Sequence, residues 1–222
     1  AARALGLAAE RAEWLRRPAG SMPPPPDVDL VAARAIVEQS LGDDDDRWLG
    51  ADETRELLTA FGIEVVSQRV VRTAGEAVEA ARELGLPAVL KTAEAGAHKT
   101  EEGGVALDLR DEKQVRGAAE RIGPPLIVQP MVSGSAELLA GIVQDPVFGP
   151  LVAFGPGGVL AELLGDAAFR IAPLTDVDAE EIVQAGKAGR LVAGFRGAPE
   201  ADAAALVELV LRLSRLAQDL PE

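Results

Sequence analysis

An α/β protein of two lobes is predicted by three features of the sequence. From Ala51 to Met131, short apolar and β-branched runs alternate with helical patterns, bounded by capping residues and glycines. After Gly134 several strand-like runs follow in succession, the texture of an antiparallel sheet. Apolar residues, mostly Ala, Val and Leu, make up 48% of the 222 positions, which suffices for a core in each lobe.

Ala1 to Arg17 is alanine-rich and helical in pattern, with Trp14 and Leu15 as an apolar anchor. Ala19 to Pro26 holds four consecutive prolines and reads as a semi-rigid spacer, so that everything before Asp27 is expected to separate from the core. Asp27 to Leu41 is a helix capped by Asp27 or Asp29, with Val28, Val31, Ala35 and Ile36 on its apolar stripe. Asp43 to Asp46 lacks the alternating spacing of a Ca²⁺ loop and reads as a solvated acidic turn.

Asp52 caps a helix that Gly62 ends. Ile63 to Val71 is strand-like, Ala74 to Leu84 helical, and Pro87 to Lys91 a short buried strand. Val105, Leu107 and Leu109 alternate as in a half-buried strand. Asp111 caps a helix to Ile122, and Pro125 to Met131 is a strand. In the second lobe, Ala136 to Val143, Pro150 to Phe154, Val159 to Leu164 and Ala167 to Pro173 read as strands, the third also being good helix sequence. Helices are expected over Asp176 to Leu191 and Pro199 to Gln218. The division is a tail at 1–20, a proline-rich linker and helix at 21–50, a first lobe at 51–125 and a second at 126–222.

The net charge of -14 argues against nucleic-acid and anionic-membrane partners. With no cysteine and one histidine, thiolate and His-rich metal sites are excluded, and a metal here would be an oxygen-bound ion such as Mg²⁺. No run reaches membrane-spanning length and no signal peptide is read, so a cytoplasmic protein is expected. The absence of an initial methionine reads as a piece of a longer polypeptide.

The chemistry concentrates in K-T-A-E-A-G-A-H-K-T-E-E-G-G-V, Lys91 to Val105. A strand-end lysine, His98 beside Lys99, and the Gly103-Gly104 pair suit a polyphosphate. Glycine N–H groups approach phosphate oxygens without an intervening Cβ, lysine adds charge, and imidazole can be a nucleophile near neutral pH. On these residues alone, a solvated charged turn is the favoured reading. It is not a Walker A loop, because His98 stands where that motif needs glycine.

The segments V-L-K (89–91), H-K-T-E-E-G-G-V (98–105), V-Q-P-M (128–131), D-P-V-F-G-P (145–150), G-P-G-G-V-L-A-E (155–162) and F-R-I-A-P-L (169–174) resemble the ATP-grasp portion of ADP-forming acyl-CoA synthetases, relatives of succinyl-CoA synthetase. The resemblance runs from about Ala51 to the end and implies the ATP-grasp fold, with ATP/ADP and Mg²⁺ as ligands. It makes 1–20 the helical tail of a CoA-ligase-type domain. It implies that His98 carries a phosphoryl group from ATP to CoA-binding and ligase domains of the same parent. Lys91, Lys99, Gly103, Gly104 and Val105 would hold phosphates. Gln129, Pro130, Met131 and Val132 would bind adenine at the connection between lobes, and Glu137 a ribose hydroxyl or the adenine amine. Arg170 would bind phosphate and Glu162 would be a Mg²⁺ or network carboxylate, with an ordinary Glu–Arg surface pair as the alternative reading of those two. The family's later D-x-N-P segment is not present before Glu222, so the fragment is expected to be incomplete for turnover. A homodimer is left open. The alternative is a nucleotide- or ligand-sensing region of a lysine acetyltransferase fusion.

Overall fold

The computed structural model describes residues 2–25, 27–42, 47–93, 103–158 and 165–220. It divides into two compact units, Pro26–Gly134 and Ala1–Pro25 with Ser135–Glu222.

In the first unit, α2 (Leu30–Leu41) and α3 (Ala51–Ala60) pack together over Ala33, Leu57 and Phe61. Asp29 caps α2 by accepting from the Ala32 N–H. The expected stripe is wrong in phase: Val31 is 83% exposed and Ala33 is fully buried, because the helix turns its small residue toward α3. Nor does Asp52 cap α3. Gly50 is the cap residue, and the Glu53 carboxylate accepts its N–H at 2.7 Å.

A four-stranded antiparallel sheet follows: β1 (Arg69–Val71), β2 (Ala88–Thr92), β3 (Val105–Leu109) and β4 (Leu126–Pro130), in the order β1-β4-β2-β3. Only the last three residues of the strand-like run 63–71 join it. Helices α4 (Ala74–Leu84) and α5 (Glu112–Ile122), capped by Thr73 and Asp111, cover one face. Leu90, Leu126 and Val128 meet Val78, Val115 and a set of alanines there. Strand β4 lies between β1 and β2, so a second lobe starting at 126 is corrected: apolar residues on both faces of β4 make it an interior strand of the first unit.

The alternation expected in β3 also fails. Leu107 is 58% exposed while Ala106 and Leu109 are buried. A bulge sets Leu107 and Asp108 against Val89 alone, with Asp108 at φ 55°, and this shifts the inward phase by one residue.

The second unit carries a three-stranded antiparallel meander, β5 (Leu138–Asp145), β6 (Gly149–Pro156) and β7 (Ala168–Ile171). Helices α6 (Asp176–Val183), α7 (Gly186–Val192) and α8 (Ala203–Asp219) accompany it, with Val152, Phe154, Ile182 and Val210 buried. The single helix expected over 176–191 is two. The chain turns at Gln184 and Ala185, restarts at Gly186 with φ 57°, and brings Gly189 against the Gln184 carbonyl. The strand-or-helix segment 159–164 lies outside the described residues.

Helix α1 (Ala2–Arg16) belongs to this unit. Trp14 is 48% exposed and stacks under Arg11 and Arg17 instead of anchoring a core. Past the helix the chain is fastened to α6. Arg17 bridges Asp178 at 2.9 Å and Glu181 at 2.5 Å, and Ser21 pairs with Asp176. Helix α1 is thus largely exposed, whereas residues 17–21 are tied to α6, which runs against a full separation of everything before Asp27.

Candidate functional site

Register decides which side chains of the first sheet can work together. Lys91 pairs with Ile127 and Val89 with Gln129, so alternate residues of β2 and β4 put Lys91, Ile127 and Gln129 on the face away from α4 and α5. The N-terminal half of α3 and the chain before it stand over that face. They enclose a pocket of ≈ 370 Å³, whose lining includes Trp48, Thr54, Arg55, Leu58, Val65 and Gln68 as well as Lys91, Ala93, Ile127 and Gln129. Its size and its apolar floor with a few polar groups suit a small cofactor.

Hydrogen bonds fix the roof to the floor. Gln129 Nε2 donates to Gln68 Oε1 at 3.0 Å, and Gln68 Nε2 donates to the Ala51 carbonyl at 2.8 Å. The first turn of α3 is braced by Glu53, which receives the Gly50 N–H and pairs with Arg47. The Gly50 N–H, with help from Ser40 and Arg47, holds the Glu53 carboxyl below its ordinary value.

The proposed phosphate loop leaves from this same place. Lys91 faces Val105 across β2 and β3, the Gly104 carbonyl accepts the Thr92 N–H at 2.8 Å, and the Pro125 carbonyl accepts the Ala93 N–H at 2.9 Å. The described residues on either side, Thr92 with Ala93 and Gly104, are thus held beside Lys91. Gly103 has φ 71° with nothing near its missing Cβ, so backbone conformation and not crowding calls for glycine. His98 and Lys99 lie within 94–102, outside the described residues, and so does Glu162.

Of the positions expected to read a base through the backbone, Pro130 ends β4 and Val132 is exposed. The Met131 N–H is already committed to the Pro87 carbonyl at 2.8 Å, so that donor serves the sheet.

Two more candidates are in the second unit. The Glu137 carbonyl accepts the Gly157 N–H, and its carboxylate lies so close to Gly158 that a Cβ there would overlap it. The glycines of G-P-G-G thus have a packing reason. Arg170 lies opposite Val152 on β7, donates to the Phe169 carbonyl and reaches Glu181 at 3.5 Å.

Among the described residues no three His, Cys, Asp or Glu side chains gather to hold a metal. A Mg²⁺ ion that arrives with a nucleotide needs only one or two carboxylates beside the phosphate oxygens, so such an ion does not require a cluster of this kind. Among the described residues no helix is long and apolar enough to cross a membrane.

Sequence reasoning missed Trp48, Thr54, Arg55, Val65 and Gln68. They carry no motif, and only the fold of α3 over the sheet brings them to Lys91.

A family model described as an ATP-grasp domain matches residues 40–222. ADP-forming acetate–CoA ligase I of Archaeoglobus fulgidus is 38% identical over 207 residues, covering 88% of this chain and 30% of that protein. The beta subunit of ADP-forming acetate–CoA ligase I of Pyrococcus furiosus is 34% identical over 209 residues, 88% of this chain and 89% of that subunit. The chain therefore spans under a third of the first and most of the second. Among solved structures, acetyl-coenzyme A synthetase 1 of Ca. Korarchaeum cryptofilum, in complex with coenzyme A, Ca-AMPCP and HgCl+, superposes with TM-score 0.75 at 34% identity, over 83% of this chain and 86% of that one. The same synthetase with coenzyme A and Mg-AMPPCP, described with its phosphohistidine segment pointing towards the nucleotide binding site, gives 0.70 at 36% identity, over 83% and 84%.

Proposed function

Because the chain belongs to the ATP-grasp domain family found in ADP-forming acetate–CoA ligases, we propose that it binds ATP and passes the γ-phosphoryl group onward in ADP-forming acyl-CoA synthesis. The observation that carries this reading is the convergence at β2. Lys91 lines a cofactor-sized pocket, and the segment bearing His98 is rooted on the two strands that hold Lys91 and Val105.

In this reading Lys91, with Lys99 and the N–H groups of Gly103, Gly104 and Val105, holds phosphate oxygens. A neutral imidazole nitrogen of His98 attacks the γ-phosphorus, the bond to the ADP oxygen breaks, and an N–P bond forms. Gln129, with Pro130, Met131 and Val132 after it, binds the base, and Glu137 and Arg170 are nucleotide ligands on the unit that follows. Mg²⁺ bound to the nucleotide, with Glu162 as its protein carboxylate, would neutralise phosphate charge. The phosphoryl group then goes to CoA-binding and ligase portions, supplied as domains of a longer chain or as a second subunit. We place the reaction in the cytoplasm, where ATP and CoA are available. A homodimer would show as doubled mass in light scattering.

The sensing-region alternative finds no support in the relatives above, which are ligases. The test is γ-labelled ATP with Mg²⁺ and the full-length parent assembly. An acid-labile, base-stable phosphoenzyme is expected, absent in His98→Ala, which should still bind ADP. Wild-type acyl-CoA formation by His98→Ala would sink the phosphohistidine assignment.

A further inference from the structure

The Gln129–Gln68–Ala51 chain has a direction that only one of its members can set. A backbone carbonyl accepts and never donates, so the Ala51 oxygen requires the amide nitrogen of Gln68, which it receives at 2.8 Å. Gln68 must then turn its oxygen to Gln129, and Gln129 must answer with its nitrogen, at 3.0 Å. Flipping either amide would set two oxygens or two N–H groups against each other. What Gln129 keeps for a ligand is therefore fixed: its carbonyl oxygen and its second N–H.

The pocket makes that oxygen valuable. Lys91 and Arg55 bring donors, and among the described lining residues there is no carboxylate. The Gln68 oxygen is already engaged, and the Met131 N–H is committed to Pro87. Beside Gln129 on β4, buried Ile127 offers an apolar surface for a flat ring.

We propose that Gln129 reads the base of the bound nucleotide by accepting a hydrogen bond from an exocyclic amino group, and that Gln68 is the positioning residue that holds its amide in that sense. This rests on the nucleotide reading above and adds a specificity to it. Aminopurines, which carry a donor at the 6-position, are selected over oxopurines, which carry an acceptor there.

The test is calorimetric binding of ATP and ITP to the wild-type chain, Gln68→Met and Gln129→Met, with melting temperatures recorded to certify folding. The wild type should prefer ATP by about tenfold, within the range for one hydrogen bond made or left unmet. Both variants should bring the ratio toward one, Gln68→Met because its neighbour's amide can then flip. Equal affinities in the wild type, or an unchanged ratio in Gln129→Met, would overturn the inference while leaving nucleotide binding intact. A ratio that falls in Gln129→Met but not in Gln68→Met would overturn the positioning role. If Gln68→Met does not fold, a fluorescence competition with 6-chloropurine riboside triphosphate, which lacks the donor, replaces it: binding as tight as ATP overturns the proposal. Failure of the wild type to bind either nucleotide would instead defeat the nucleotide reading itself.

Discussion

Ser21 and Asp176 hold each other at three points. The Ser21 N–H and hydroxyl donate to the two carboxylate oxygens, each at 2.8 Å, and the Asp176 N–H returns to the Ser21 carbonyl at 2.8 Å. Gly20 fits beside them only for want of a Cβ, which would lie 2.5 Å from the carboxylate. The N-terminal strap is thus fastened to the first turn of α6.

That fastening gives a pH dependence. The Ser21 N–H above all, with its hydroxyl and the Val177 N–H, holds the Asp176 carboxyl below its ordinary 3.8. Burial opposes ionisation of Asp178, but Thr175 and Arg17 still hold it below 3.8. For a depressed carboxyl the stabilisation is complete above the unfolded value and is lost as pH falls through the folded one. Hydrogen-exchange protection of residues 17–21 should therefore stay level from neutrality down to the ordinary 3.8 and decay only below it. Asp176→Asn should show reduced protection already at neutral pH. Protection that decays between pH 7 and 5, where neither carboxyl titrates, would contradict this account.

Lys91→Ala should weaken ATP binding by about 1–3 kcal/mol, the scale of a hydrogen bond to a charged group. The melting temperature of the unliganded chain should change little by comparison. Calorimetry with ATP and Mg²⁺ checks both the affinity and the assignment.

Asp108 sits at φ 55° in the β3 bulge, with its carboxylate on Arg110 at the exposed surface. Asp108→Gly should be neutral or stabilise by up to about 1 kcal/mol, since the surface pair contributes little and glycine favours this conformation. Asp108→Val should destabilise by about 1–3 kcal/mol, because a β-branched residue resists positive φ. Urea melts of the three proteins compare them directly.

Gly189→Ala would place a Cβ 2.0 Å from the Gln184 carbonyl oxygen, which is backbone and has little room to yield. A loss of about 1–3 kcal/mol is expected from that overpacking. Gly117→Ala, on α5 with nothing near the added methyl, should gain stability by up to about 1 kcal/mol. Thermal melts of both substitutions separate close approach from ordinary helix propensity.

The sequence by itself determined what is local. The helical pattern of Ala74 to Leu84 marked α4, Asp111 announced the start of α5, and the run after Gly134 read as an antiparallel sheet. Short-range hydrogen bonds and backbone sterics govern such signals, and they need no partner from elsewhere in the chain. The motif segments, Lys91 through Val105 foremost, were likewise legible as residue types in order. Tertiary structure decided what depends on contact. The β3 bulge inverted the inward phase at Leu107, and interior pairing moved β4 into the first unit. Packing on α3 put Gln68 next to Gln129 across 61 positions of sequence. Ser21 likewise met Asp176 across 155 positions. No periodicity encodes such pairings, because each exists only after two surfaces have been buried against each other.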